Sequence, residues 1–216
     1  MLEDIIKERL KKKQALEKLG YNPYPAEVSR THTLAEAVKS FASLEKGKKK
    51  ISVAGRVIGL RVQGALVFAD LQDGNGEKLQ VVIKKDNLKD FEPIKANLDI
   101  GDFLEATGVL FKTQKGERSL EAKNARIVVK ALRPLPSVWH GLKEVEERFR
   151  KRYLDTLLNI EVKEKLVARS KIVEGLREAL SEEGFLEVET PILQPIPGGA
   201  TARPFTTHHN ALDVDF

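Results

Sequence analysis

Phe68, Gln80 and the lysines at 78 and 84 are the side chains whose types and spacing best suit chemistry with a polyanion. Alternation over 65–71 sets Val67, Ala69 and Leu71 on one face and Leu66, Phe68 and Asp70 on the other. Over 78–84, Leu79, Val81 and Ile83 oppose Lys78, Gln80 and Lys84. If the wholly apolar faces fill a barrel, Phe68 and Gln80 lie together on its outer surface. A ring, an amide and ammonium groups side by side supply what unpaired bases need. The ring stacks, the amide reads a base edge, and the lysines neutralise phosphate, each stack being worth about 1–3 kcal/mol. The same ring could instead pack beneath the helices that precede it. Farther on, Pro197-Gly198-Gly199 would let backbone approach a small ligand closely, although such turns are usually only turns. Adjacent His208 and His209 point to opposite faces of a strand and would serve one metal ion poorly, so no metal site is expected.

The elements that must position these residues begin with helices. Leu2, Ile5, Ile6, Leu10, Leu16 and Leu19 recur at helical spacing, acids occupy the first turn, and Gly20, Pro23 and Pro25 end the pattern. Thr33-Leu34-Ala35-Glu36 is a capping box that opens a second helix carrying Leu34, Val38, Phe41 and Leu44, closed by Gly47 before three lysines. From 51 the period changes to two. Strands are expected over 51–62, 65–71, 78–83, 102–111 and 119–129, with turns at Asp73-Gly74-Asn75-Gly76 and Gln114-Lys115-Gly116-Glu117. A short helix over 87–98 falls between the third and fourth strands, which is the order of an OB-fold, a partly open barrel that commonly binds oligonucleotides. Glycines at 55, 59, 64, 101 and 108 stand where a tight barrel bends or bulges. Arg133-Pro134-Leu135-Pro136-Ser137 is a linker, 144–158 reads as a charged helix, and 160–183 as a long helix stopped by Gly184. The expected division is an N-terminal helical region over 1–50, the barrel over 51–131, linker and helix over 132–158, and a last segment over 159–216.

Composition fits such a chain. With 216 residues, 41% hydrophobic and 32% charged, it has material for one large or two small domains. A net charge of +5 suits a polyanionic partner without requiring one. The absence of cysteine excludes a disulfide, a thiolate nucleophile and cysteine-ligated zinc. No apolar run approaches bilayer length, and Met1-Leu2-Glu3-Asp4 is acidic where a signal peptide would be basic, so a cytoplasmic protein without membrane contact is expected.

The run Gly184-Phe185-Leu186-Glu187-Val188-Glu189-Thr190-Pro191, followed by Pro197-Gly198-Gly199-Ala200-Thr201-Ala202-Arg203-Pro204-Phe205, resembles the first signature of class II aminoacyl-tRNA synthetases. Thr206-Thr207-His208-His209-Asn210-Ala211-Leu212-Asp213 resembles the lysine-type family within that class, as do Ala54-Gly55-Arg56 through Leu71-Gln72-Asp73 and Phe111-Lys112-Thr113 before Gly116-Glu117. Arg118 departs from the aliphatic residue the family leads one to expect. The resemblance implies an α+β chain, in which a five-stranded OB-fold barrel with N-terminal helices precedes the first helix and strand of a class II catalytic domain. It implies that Arg61, Phe68, Gln80 and Glu117 recognise the uridine-rich lysine anticodon, that Gly199 and Ala200 contact substrate lysine, and that Pro191 belongs to a dimer interface. It also implies lysine–tRNA ligation with ATP and Mg2+ by a homodimer acting on lysine tRNA. Residues through Phe216 lack most of the groups that hold ATP and magnesium, so the chain alone is expected to be inactive. The alternatives are a stand-alone, non-catalytic tRNA-binding barrel, and an aspartyl- or asparaginyl-type relative.

Overall fold

Five strands, β1 (Lys50–Gln63), β2 (Leu66–Gln72), β3 (Lys78–Lys84), β4 (Phe103–Lys112) and β5 (Arg118–Val129), close into a barrel in the order β1-β2-β3-β5-β4. The computed structural model describes residues 2–136, 142–196 and 203–216, which form two units, Met1–Ile160 and Glu161–Phe216. The long β1 serves two neighbours, pairing antiparallel with β4 through Lys50–Arg56 and with β2 from Arg56 onward. Its register shifts between Val57 and Gly59, where the strand turns from one pairing to the other. Parallel pairing of Gln80–Ile83 with Ser119–Ala122 closes the barrel. The expected strand order and the helix between β3 and β4, α4 (Phe91–Asn97), are both present.

The inward face follows from the alternation. Val67, Ala69, Leu71, Leu79, Val81, Ile83, Leu104, Ala106, Leu110, Leu120 and Ala122 are all buried in one core. Helix α2 (Leu34–Lys39) seals one side with Leu34 and Ala37. Its capping box is formed: Glu36 N–H donates to Thr33 Oγ1 at 3.1 Å and Thr33 N–H to Glu36 Oε2 at 2.8 Å. The single helix expected over this stretch is divided at Ser40, which ends α2 and starts α3 (Phe41–Lys46). Ser40 leaves the helical region at φ −95°, ψ 14°, while Phe41 and Leu44 still reach the core.

Helix α1 (Leu2–Lys18) docks mainly by polar contacts rather than by its apolar stripe. Leu16 is buried, but Leu2, Ile5, Leu10 and Leu19 are exposed. Arg9, itself buried, donates to the carbonyls of Ala131 (2.9 Å), Arg133 (3.3 Å) and Ile100 (3.0 Å), and Lys12 pairs with Asp99 at 2.6 Å. Beneath them lies a charged knot. The fully buried Lys130 ammonium donates to Asp99 at 2.5 Å and to the fully buried Asp102 at 2.7 Å. Asp102 also accepts from the backbone N–H groups of Asp99 and Ala131, each at 2.8 Å.

The charged helix expected over 144–158 is likewise two, α5 (Val145–Arg150) and α6 (Arg152–Leu158), broken at Lys151. In the second unit α7 (Ile160–Glu182) has the expected length but no buried residue. The following 185–190 stretch, expected as a strand, is unpaired, because pairing needs a neighbouring strand and none lies beside it among the described residues. A small hairpin, β6 (His208–His209) with β7 (Val214–Asp215), follows. No described helix is long and apolar enough to cross a membrane.

Candidate nucleic-acid interface

Cross-strand register assembles the outer face. Arg61 on β1 lies opposite Phe68 on β2, Phe68 opposite Val82 on β3, and Val82 opposite Glu121 on β5. One row along, Asp70 faces Gln80, Gln80 faces Ser119, and Ser119 faces Phe111 on β4. These strands and the β4–β5 turn wall a groove of 510 Å³ lined by Arg61, Phe68, Gln80, Lys84, Phe111 and Glu117 among others, every lining residue belonging to the barrel. Phe68 therefore does not pack beneath the N-terminal helices. It is half-buried, with the Arg61 guanidinium 5.9 Å from its ring centre.

Gln80 differs from the sequence-based expectation. It sits on the outer face as expected but is only 5% exposed, because Asp70, Ser119 and Glu117 close around it. The polarity of this knot has one solution. Carboxylates only accept, so the Gln80 Nε2 must face Glu117 (3.0 Å) and Asp70 (3.4 Å). Its Oε1 then accepts from the fully buried Ser119 hydroxyl at 3.0 Å. Asp70 also lies 3.6 Å from the half-exposed Arg61 guanidinium. Gly59, opposite Asp70, leaves the space that carboxylate fills, since a Cβ there would stand 2.5 Å from Asp70 Oδ2. Arg61, Phe68, Gln80 and Glu117, the four residues that the resemblance offers for base recognition, thus line one groove, with Arg61, Asp70, Gln80 and Glu117 joined in a chain of contacts.

Sequence reasoning placed Asp70 and Lys84 on this face by alternation but missed Phe111 and Ser119. Alternation offered a signal for Phe111, since Leu110 points inward; the hydroxyl–amide contact of Ser119 across β5 and β3 had none. Glu121 accepts from Lys84 (2.8 Å), Lys123 (2.9 Å) and Asn87 (2.8 Å). These hydrogen bonds, led by Lys84 and then Lys123, outweigh its partial burial and hold its carboxyl at about 2, below the usual 4.5. A folded-state value below the unfolded one gives stability that is complete above about pH 4.5 and is lost as pH falls through about 2. Glu121→Gln is accordingly expected to lose less stability than the parent on acidification across that window, as read by denaturant melts at several pH values.

The other residues singled out from the sequence are placed as follows. Arg118, the departure noted above, sets its guanidinium 5.5 Å from the Phe41 ring centre and so ties α3 to the barrel. In the charged stretch expected as a helix over 144–158, Arg148 and Arg152 clamp the buried Asp155 at 2.9 and 2.7 Å, while Arg150 and Lys151 pair with Glu146 and Glu147. Those cations are engaged within the chain. Pro191 is exposed, and Gly199 and Ala200 lie outside the described residues. His208 hydrogen-bonds Asp215 at 2.8 Å, whereas His209 accepts from the Leu212 N–H, so the two rings have separate partners. Among the described residues no cluster of three carboxylates, imidazoles or thiolates could hold a metal, and no step through magnesium is derived from them.

Comparison with known proteins agrees with this architecture. The family model for an OB-fold nucleic acid binding domain matches residues 51–128, and that for tRNA synthetases class II (D, K and N) matches residues 144–216. A lysine–tRNA ligase of Carboxydothermus hydrogenoformans is 46% identical over 214 residues, covering 99% of this chain and 43% of that protein. One from Dehalococcoides mccartyi is 44% identical (97% and 43%), and one from Clostridium perfringens 47% identical (96% and 41%). The chain spans about two-fifths of the length of these relatives. With the two domain models side by side and such identity along nearly all of it, the chain belongs to the lysine–tRNA ligase family of class II synthetases.

Proposed function

We propose that the barrel binds the anticodon of a lysine tRNA, and that the protein to which these residues belong is an ATP- and Mg2+-dependent, cytoplasmic, homodimeric lysine–tRNA ligase. The observation that carries this reading is the groove, where a half-exposed ring flanked by a guanidinium stands beside an oriented carboxylate. Phe68 stacks on a base and Arg61 donates to a carbonyl edge or a phosphate. Glu117, exposed and steadied by Gln80, keeps acceptor capacity for an imino N–H, which uridine has and cytidine lacks. Gln80 has its amide committed within the protein, so its role is to aim Glu117. Relatives named lysine–tRNA ligases support the substrate, and the same family supports Gly199 and Ala200 as lysine contacts and Pro191 as part of a subunit interface.

The second unit supports a catalytic segment that needs further surface to pack against. Val173, Leu176, Leu180, Phe185 and Leu186 line an open 690 Å³ groove, and none of its described residues is buried. A helix with an uncovered apolar stripe cannot enclose a core by itself. The chain alone is therefore read as binding tRNA without charging it.

The test is a titration of lysine tRNA with the chain and with Phe68→Ala. Loss of the ring is expected to weaken binding by about 1–3 kcal/mol with the barrel still folded. Affinity for both proteins should fall steeply with salt as phosphate contacts release counterions. An unchanged affinity for Phe68→Ala, or a flat salt response, would count against the anticodon reading.

A further inference from the structure

Phe68 is not the only ring on the groove wall. Phe111, at the end of β4, is also half-buried and outward-facing, with the Lys84 ammonium 5.7 Å from its ring centre. Its cross-strand neighbour on β5 is Ser119, too small to cover an aromatic face. The inward side of the same strand is already filled by Leu110, so the barrel core does not need the Phe111 ring. Lys84 is held in place by Glu121, which also binds Lys123, so two ammonium groups share one carboxylate and the corner keeps positive charge. Phe111 with Lys84 thus repeats, farther along the same face, the ring-and-cation pairing of Phe68 with Arg61.

The two rings stand side by side on one face rather than opposite each other. Phe68 on β2 and Phe111 on β4 are separated along the sheet by three interstrand steps, β2 to β3 to β5 to β4, about 14 Å at the usual strand spacing. Between them lie Val82 and the closed Gln80 knot. The geometry points to Phe111 as a second stacking platform, so that the groove takes single-stranded RNA as two separate bases, one on Phe68 and another on Phe111, with Lys84 neutralising the phosphate near the second. This rests on the reading of the groove as the RNA site and adds to it a second subsite and the direction of the strand, across β2, β3, β5 and β4.

The experiment uses the whole chain and a stem–loop RNA whose loop carries three consecutive uridines, plus the same RNA with one loop nucleotide at a time made abasic. Phe68→Leu and Phe111→Leu keep the apolar bulk of each site, and Phe111→Tyr keeps the ring. Phe111→Leu is expected to weaken binding at least about fivefold, the lower end of what one stack supplies, while Phe111→Tyr binds as the parent does. The loss from Phe111→Leu should vanish on the RNA lacking one particular base, and the loss from Phe68→Leu on the RNA lacking a different one. Parent-like binding by Phe111→Leu alongside weakened Phe68→Leu would overturn the second platform and leave the groove reading standing. Silencing of both losses by the same abasic position would also overturn it. If neither variant weakens binding, the groove is not the RNA site and both readings fall. Should Phe111→Leu fail to fold, the abasic scan on the parent decides: two separated costly positions support the pair of platforms, and a single one excludes it.

Discussion

Replacing Lys130 by methionine is expected to cost the barrel about 3–5 kcal/mol, the penalty for leaving a buried charge without its partner. The ammonium is fully buried, and so is Asp102, its partner at 2.7 Å. Burial already raises the Asp102 carboxyl above the ordinary range, and Lys130 is the main force pulling it back. Without that lysine the Asp102 carboxylate faces only two backbone N–H groups, and Asp99 keeps only Lys12 as a charged partner. The pH dependence has a definite sign. A carboxyl raised further in the folded state binds protons more tightly there than in the unfolded chain, so the deficit should be largest near neutrality and shrink on acidification. Denaturant melts of Lys130→Met at pH 7 and pH 5 check both points. Adding Asp102→Leu should recover part of the loss, because the uncompensated charge is then removed.

Gly108→Ala is expected to destabilise by about 3 kcal/mol, the upper part of the overpacking range. A methyl at Gly108 would stand 1.9 Å from the Glu121 carbonyl oxygen and 2.7 Å from its carbon. Both are backbone of the adjacent strand, at the place where the β4–β5 register shifts, so β4 must move away from β5 to accommodate it. Gly175→Ala gives the contrast. It sits in α7 with nothing within 4 Å of the added methyl, and there the substitution should be neutral or slightly stabilising through helix propensity. Thermal melts showing equal effects at the two positions would contradict the packing argument.

Much of the barrel was legible because alternation is a local signal. Val67, Ala69 and Leu71 against Leu66, Phe68 and Asp70 fixed the face of β2 without knowledge of any partner. Helix boundaries at Ser40 and Lys151 were not legible, since the apolar spacing runs straight through both and only the backbone angles mark the breaks. Polar burial was the least visible. Lys130 finds Asp99 and Asp102 some 30 residues upstream, and Arg9 finds carbonyls more than 90 residues away. Such contacts depend on closure of the barrel, which no local pattern encodes. The same holds for Gln80, whose outward position followed from alternation while its enclosure depends on Ser119 of β5 and Glu117 of the turn before it.

Binding of this chain to a lysine tRNA transcript, compared at one salt concentration with the same transcript carrying cytidines in place of its anticodon uridines, tests anticodon recognition by the groove most directly. Cytidine still stacks on Phe68 and keeps every phosphate, but it offers Glu117 an acceptor where uridine offers a donor. The expected result is a loss of about tenfold or more, the cost of leaving a committed acceptor unpaired. Equal affinity for the two transcripts would mean that the barrel grips tRNA by charge alone and that the groove does not read the anticodon.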